Sequence, residues 1–336
     1  MHFLVTGTAG FIGFHLARRL VSSGHTVTGY DALTSGTGIE LRRDRLKMLD
    51  MAGGFRGVTG RLEDFKTLSA AAEANPPQIV IHLAAQAGVR QSLDDPSLYV
   101  ASNLAGTASI LELARAVRPQ HFIHASTSSV YGASGRPEFV ETDPTDHPVS
   151  FYAATKKGAE LLTHSYAHLF GMPVTVLRFF TVYGPWGRPD MAYYKFTEAI
   201  AAGKPIEVYG SGTQLRDFTY VDDLIWAICA LLDRIPEPGK PVVAKGVVDS
   251  LSPVAPHRIV NIAAGRPEPL NRLIELIEQA LGTKAIRRDL PAQPGDVTRT
   301  HASPALLKAL TGYVPDTPLS EGIAAFVDWY RGHAGQ

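Results

Sequence analysis

Cysteine is nearly absent. The 336 residues contain one, Cys229, inside the apolar stretch Leu224 to Leu232. A lone cysteine excludes an internal disulfide, and no residues show a metal-binding spacing, so neither disulfide nor metal is expected. A thiol among apolar neighbours behaves as a small buried hydrophobe. Net charge is missing too: 32 Lys plus Arg cancel 32 Asp plus Glu. That removes sequence-wide attraction for nucleic acid or an anionic membrane. No apolar run is long enough to span a bilayer. The chain opens on the strand-like Phe3-Leu4-Val5, with no basic region leading into a long apolar one. Together these features predict a soluble, cytoplasmic protein with neither nucleic acid nor membrane as partner. Internal repeats and low-complexity tracts are also lacking.

What is present is ordinary for a sizeable core, with 45% hydrophobic and 19% charged residues. Strand-like runs at His2–Val5, Thr26–Tyr30, Gln78–His82, His121–Ala125 and Pro173–Phe179 alternate with helix-like ones. The helix candidates include Phe11–Ser22, Leu62–Ala74, Leu98–Val117 and Phe151–Phe170. This rhythm predicts an α/β fold, a doubly wound Rossmann-type parallel sheet over residues 1–181. Beyond Thr181 Gly and Pro become frequent, and a smaller C-terminal substrate-binding domain is expected over 182–336. Segments near 218–235 and 257–264 are core-like again and are expected to return to the first domain.

The first strand runs into Thr6-Gly7-Thr8-Ala9-Gly10-Phe11-Ile12-Gly13. Gly7 permits a tight strand-to-helix turn, Gly10 lets the backbone approach a pyrophosphate, and Gly13 lets the helix lie close to the strand. Three glycines in eight residues also arise in ordinary turns. Here, however, they sit at the first strand–helix junction, and the second strand ends at Tyr30-Asp31, about 20 residues on. A carboxylate at Asp31 accepts hydrogen bonds from a ribose and repels a 2′-phosphate, which favours NAD over NADP.

Tyr152 and Lys156 stand at i and i+4, one turn apart on one helix face. Such pairs are common by chance. This one follows a strand ending in Ser126-Thr127-Ser128-Ser129, at the carboxyl end where ligands bind in a doubly wound sheet. Oxidising an alcohol needs a base for the hydroxyl proton while the carbon loses hydride. A free tyrosine, with a pKa of about 10, is too weak a base near neutrality, and a neighbouring ammonium favours its phenolate. Thr127, Tyr152 and Lys156 are therefore the candidate catalytic set.

With Gly7/Gly10/Gly13, Asp31, His82-Leu83-Ala84-Ala85, Thr127 and Tyr152/Lys156, the chain resembles the extended short-chain dehydrogenase/reductase family of nucleotide-sugar enzymes. Arg216 to Asp223 and Pro294-Gly295-Asp296-Val297 are similar to the same family's C-terminal signatures. Arg178 to Met191 and Gln86-Ala87-Gly88-Val89-Arg90 resemble those of UDP-glucuronate 4-epimerases in particular. The resemblance implies NAD contacts from Phe11, Ile12, Leu33, Leu62, Leu83, Ala84, Ala85, Gln86 and Phe179 besides the glycines, Asp31, Tyr152 and Lys156. It implies UDP-sugar contacts from Arg90, Thr127, Ser128, Ser129, Tyr152, Thr181, Arg188, Tyr209, Arg216 and Asp296. Of these, Arg188 and Arg216 suit the diphosphate and Tyr209 the uracil; each arginine could equally be a surface ion pair. Arg61-Leu62 stands where the family usually carries an acidic residue near adenine, which leaves only a backbone contact from Leu62 there.

Single positions weigh the near relatives. Dehydratases of the family usually carry Asp and Glu after the catalytic threonine, and decarboxylases carry Ser then Glu; here Ser128 and Ser129 follow. Galactose epimerases usually have Asn where Thr181 stands. Lacking the extra acid, the chain is expected to interconvert UDP-glucuronate and UDP-galacturonate through a 4-keto sugar, with NAD regenerated each cycle. Decarboxylase or 4,6-dehydratase activity is the alternative, and a non-catalytic NAD sensor a more distant one. A homodimer is implied by resemblance, with Leu98–Val117 and Phe151–Phe170 as its candidate seam, although their apolar faces could equally belong to the core.

Overall fold

The computed structural model describes residues 1–34, 38–291 and 297–334. Five strands and the helices between them build the first part of the main sheet. They are β1 (His2–Thr6), α1 (Phe11–Ser22), β2 (Thr26–Asp31), α2 (Ile39–Asp50), β3 (Phe55–Thr59), α3 (Phe65–Glu73), β4 (Ile79–His82), α4 (Gln91–Asp94), α5 (Pro96–Tyr99), α6 (Gly106–Val117) and β5 (His121–Thr127). Next come α7 (Phe151–Phe170), β6 (Val174–Phe179), β7 (Thr181–Tyr183), α8 (Ala192–Ala201), β8 (Pro205–Tyr209), β9 (Leu215–Tyr220) and α9 (Val221–Leu231). The chain ends with β10 (His257–Ile262), β11 (Pro267–Pro269), α10 (Leu270–Leu281), β12 (Ile286–Leu290), α11 (Ala305–Thr311) and α12 (Leu319–Ala334).

The main sheet has seven parallel strands in the order β10-β6-β5-β4-β1-β2-β3. Period-two alternation divides its residues between two cores. Phe3, Val5, Ile79, Ile81 and Ile123 face the layer that holds Phe14, Leu224 and Leu307. Leu4, Val80, Phe122, Val174 and Val176 face Leu68, Ile110 and Ala167. Each such side chain removed from water contributes about 1.5–3 kcal/mol. Because both faces are covered, the central strands read as continuous apolar runs.

Strand order reverses at β1, since the chain runs outward through β2 and β3 and then returns to β4 on the other side. That crevice, at the carboxyl ends, is where a ligand is received. The strand after α9 joins the main sheet at its edge, where β10 pairs with β6 from His257↔Val174 to Ile262↔Phe179. The β11-β9-β7 and β12-β8 sheets lie outside it. A third core, with Tyr193, Phe196, Ile274 and Phe326, packs α8, α10 and α12 against β8 and β9.

The predicted helix Leu98–Val117 is interrupted. Pro96–Tyr99 is helical, Val100–Ala105 is a π-turn and α6 begins at Gly106. The wider turn carries Asn103, whose amide bonds Gln86 and Thr155 rather than solvent. Among the described residues no helix is long and apolar enough to cross a membrane.

Candidate active site

The glycine turn is held by the main chain. Gly7, at φ +80°, donates its N–H to Tyr30 O at 2.7 Å, and Gly10 donates to Gly7 O at 3.0 Å. A Cβ at Gly13 would lie 2.1 Å from the Gly7 oxygen, and one at Gly7 2.8 Å from Ala84 N. Only glycine fits these approaches. Helix α1 then opens with Phe11 and Ile12, with no side-chain cap and no acidic residue in its first turn. A helix N-terminus of that kind suits an anion.

Asp31 closes this end. Its carboxylate accepts from Ala9 N–H and Leu33 N–H, both at 2.9 Å. Burial raises its pKa, and those two hydrogen bonds oppose the rise. Leu33 takes a left-handed φ of 44° to make its contact. Leu62 is buried in the core under Gly106, while Arg61 pairs with Glu63 at 3.0 Å. Beyond β4, Leu83 and Ala84 are tied to the Thr6 carbonyl and hydroxyl at 3.3 and 3.1 Å. Ala85 follows, and Gln86 is held on both backbone groups by Asn103 at 2.7 and 3.0 Å. Phe179 ends β6 beside Thr127, its partner in register.

Thr127 ends β5 and caps the turn that follows, accepting from Ser129 N–H at 3.2 Å while its hydroxyl meets Ser129 Oγ at 3.2 Å. Ser128 is half-buried beside it. Across the crevice α7 starts at its cap, Ser150, so Tyr152 and Lys156 share one face near its N-terminus. Tyr152 N–H donates to Ser92 Oγ at 3.1 Å, and its ring meets Tyr99 edge-on at 6.2 Å. Burial raises the Tyr152 pKa; the Thr127 hydroxyl and the Arg188 cation pull it down. Burial lowers Lys156 to about 8, with Glu160 opposing.

Glu160 continues the Tyr152–Lys156 face by one more turn and is 2% exposed. It accepts from Ser126 Oγ at 2.6 Å and from Arg178 Nε and Nη2, both at 2.9 Å. Arg178 also lies 4.8 Å from the Tyr131 ring centre. Burial alone would raise the Glu160 carboxyl, but the Arg178 pairing outweighs it and the pKa falls. The buried pair thus holds Ser126, next to Thr127, and its carboxylate reaches Lys156 by charge. Spacing could have found Glu160, four residues after Lys156; nothing local marks Arg178 as its partner, or Asn103 as the partner of Gln86 and Thr155.

The remaining side chains come from the smaller sheets and their loops. Arg188 grips Asp190 with both arms of its fork, and its charge reaches Tyr152. Arg90 lies 5.2 Å from the Tyr209 ring centre, and Tyr209 OH donates to Glu207 at 3.0 Å. Thr181 pairs in register with Phe218 and is half-buried. Arg216, on β9, donates to Leu215 O at 2.9 Å. Asp296 lies outside the described residues.

With this geometry in view, residues 3–244 match the NAD dependent epimerase/dehydratase family. The chain belongs to that family. It is 51% identical over 330 residues to a probable UDP-glucuronate 4-epimerase of Rhizobium meliloti (strain 1021), covering 98% of this chain and 97% of the relative. It is 42% identical to UDP-glucuronate 4-epimerase 1 of Arabidopsis thaliana, covering 99% of this chain and 77% of that one. Its fold superposes on the UDP-glucuronic acid 4-epimerase of Bacillus cereus, crystallised with UDP-glucuronic acid and NAD, with a TM-score of 0.88 and 33% identity over 99% of this chain and 100% of that one. For a member of this family, the glycine cradle that any Cβ would fill and the uncapped start of α1 fit a dinucleotide pyrophosphate.

Proposed function

We propose that this protein is an isomerase, a UDP-glucuronate 4-epimerase, interconverting UDP-glucuronate and UDP-galacturonate through a 4-keto sugar. What supports the reading is Tyr152 and Lys156 on one face of α7, with the Thr127 hydroxyl bonding Tyr152, and Ser128 and Ser129 standing where an acid would serve elimination or decarboxylation. The chemistry supplied by bound NAD is reversible hydride transfer at C4, with the cofactor regenerated in each cycle. Gly7, Gly10, Phe11, Ile12 and Gly13 would hold its pyrophosphate and Asp31 a ribose. Leu33, Leu62, Leu83, Ala84, Ala85, Gln86 and Phe179 would line the rest of its course.

Tyr152 takes the O4 proton and later returns it. The Thr127 hydroxyl and the Arg188 guanidinium pull towards the phenolate against the burial that raises the Tyr152 pKa, and the Lys156 ammonium one turn along the helix would pull the same way. Thr127 holds O4 by hydrogen bond. Arg90, Arg188, Tyr209 and Arg216 would retain the uridine diphosphate while the 4-keto sugar turns about its link to the phosphate. That intermediate is a β-keto acid, which loses carbon dioxide fastest when the breaking bond aligns with the carbonyl π system. Ser128, Ser129 and Thr181 are neutral donors that would hold the carboxylate out of alignment.

Incubation with UDP-glucuronate tests the reading. The expected product is an isomer of unchanged mass. A pentose product, or no conversion by a chain that binds NAD and UDP, overturns it.

We also read the part of residues 182–336 outside the main sheet as the UDP-sugar-binding domain, and the protein as a homodimer. Leu161 and Leu169 leave 60% and 67% of their surfaces exposed along α7, apolar surface open to a second copy. Light scattering giving a monomer mass would remove the dimer.

A further inference from the structure

Arg45 is buried within the charged run Leu41-Arg42-Arg43-Asp44-Arg45 of α2, at 2% exposure. Its three hydrogen bonds among the described residues all go to main-chain carbonyls. Nη1 donates to Ala9 O at 2.9 Å, inside the glycine turn. Nη2 donates to Trp186 O and, at 3.1 Å, to Gly187 O, on the loop that leads into Arg188. Burial lowers its pKa to about 10, which leaves it charged at neutrality. A buried guanidinium with no carboxylate on its fork is a costly way to fill space. A solvated arginine at a helix surface would serve α2 as well.

Its two sets of partners lie 36 and 141–142 residues away in sequence. The peptide at Ala9 is gripped from both ends, its N–H by Asp31 and its carbonyl by Arg45. The far loop is gripped as firmly. His15, at the start of α1, donates Nε2–H to Pro185 O at 2.9 Å, so side chains of α1 and α2 hold three consecutive carbonyls, 185 to 187. Trp186 takes a left-handed φ of 60°, a conformation that side chains rarely adopt without support. Gly187 leaves no room for a side chain, since a Cβ there would lie 1.9 Å from Tyr193 Oη. The next residue, Arg188, donates its own N–H to that same hydroxyl at 3.2 Å.

We infer that Arg45 is a positioning residue that ties the dinucleotide turn to the Pro185–Arg188 loop, so that filling one site sets the other. The fork geometry is what the role demands. A planar guanidinium serves two loops at once, where an ammonium serves one direction well. With the tie intact, a ligand that orders the glycine turn also orders the loop carrying Arg188, and the second ligand then binds with less ordering still to do. The electrostatic consequence follows through Arg188, whose cation lowers the Tyr152 pKa. This last step rests on Tyr152 being the base proposed above; the tie between the loops does not.

The test is Arg45→Lys in the full-length chain, with NAD titrated calorimetrically in the absence and presence of saturating UDP. In the wild type UDP should tighten NAD binding by at least about fivefold. In Arg45→Lys that factor should fall towards one. The acid limb of kcat/KM should also move up by about one unit as Arg188 drifts from Tyr152. Turnover should drop by about tenfold to a hundredfold, as expected for misplacement of a group by an ångström or less. A merely stabilising arginine would lower the melting temperature and leave the coupling factor and the pH limb where they were. That result overturns the inference, as does a wild type in which NAD and UDP bind independently. His15→Phe frees the Pro185 carbonyl without touching Arg45; the same two readouts should shift in the same direction to a smaller degree, and it carries the test if Arg45→Lys fails to fold. Coupled NAD and UDP binding in a wild type that makes no UDP-galacturonate would sink the epimerase reading and leave the tie standing.

Discussion

Replacing Glu160 by Gln removes one charge from the buried pair with Arg178 and almost no volume. The carboxylate accepts two hydrogen bonds from Arg178 and one from Ser126, and both side chains of the ion pair are 1–2% exposed. Removing one partner of such a pair leaves the other charge buried without compensation, which costs about 3–5 kcal/mol. The Tyr131 ring and the Glu141 carbonyl still touch Arg178 and keep the loss towards the lower end of that range. The sign with pH follows from the depressed folded pKa of Glu160. Its contribution is present above the unfolded value of about 4.3 and is lost as pH falls through the folded one. Urea unfolding should therefore separate variant from wild type at neutral pH, with the gap closing in acid.

A second effect of Glu160→Gln reaches the chemistry. Burial holds Lys156 near 8, and Glu160 is the group keeping it from falling further. If the ammonium is the active form, the basic limb of kcat should move to lower pH in the variant. A drop of about one unit would cut the protonated fraction near pH 8 from about one-half to about one-tenth, roughly a fivefold loss of rate there. Well below that pH the two enzymes should differ much less. Circular dichroism in urea and initial rates of epimerisation across the pH range give both numbers. An unmoved basic limb together with neutral-pH stability within about 1 kcal/mol of wild type would refute the reasoning.

Three further outcomes are expected. Tyr152→Phe should keep NAD and UDP binding by calorimetry and lose at least about 10²-fold in turnover, the lower range for removing a general base. Asp31→Ala removes the acceptor for Ala9 and Leu33 N–H and the charge that repels a 2′-phosphate; competitive titration should show a wild-type preference for NAD over NADP that narrows in the variant. Thr181→Ala and Ser128→Ala each loosen the substrate carboxylate by one neutral hydrogen bond, about 0.5–1.5 kcal/mol. Mass spectrometry should then find the pentose fraction raised by a few-fold to roughly tenfold with epimerisation retained.

The elements legible in the sequence are those whose ends carry their own chemistry. Helix α7 runs from Phe151 to Phe170 as its spacing predicts, because Ser150 caps one end and left-handed Gly171 closes the other. Helix α1 is fixed in the same way by the glycine turn. By contrast β3, Phe55–Thr59, is an edge strand whose side chains are exposed or half-exposed, so neither alternation nor an apolar run marks it. Helix α2 escaped for a related reason: its run of arginines reads as a solvated loop, and only Leu41, Arg45 and Leu49 are buried. Residues 257–262 read as a strand, but their place beside β6 depends on a pairing across some eighty residues that no local pattern encodes.

The same distinction divides the residues of the site. Tyr152, Lys156 and Glu160 lie on one helical stripe, so spacing alone can relate them. Thr127 follows a strand and precedes a turn, and its place at the sheet's carboxyl end comes from topology rules. Arg45 has no such handle: its partners belong to the first strand–helix turn and to a loop that begins after β7. In sequence it is one basic residue among several, and its burial is what separates it from Arg42 and Arg43. A local pattern therefore identifies groups that act on bound molecules from a shared element. Groups that set one element against another become visible only once a buried charge is seen to have carbonyl partners from two separate loops. That is why Tyr152 and Lys156 could be proposed together from spacing while the placing of Arg188 could not.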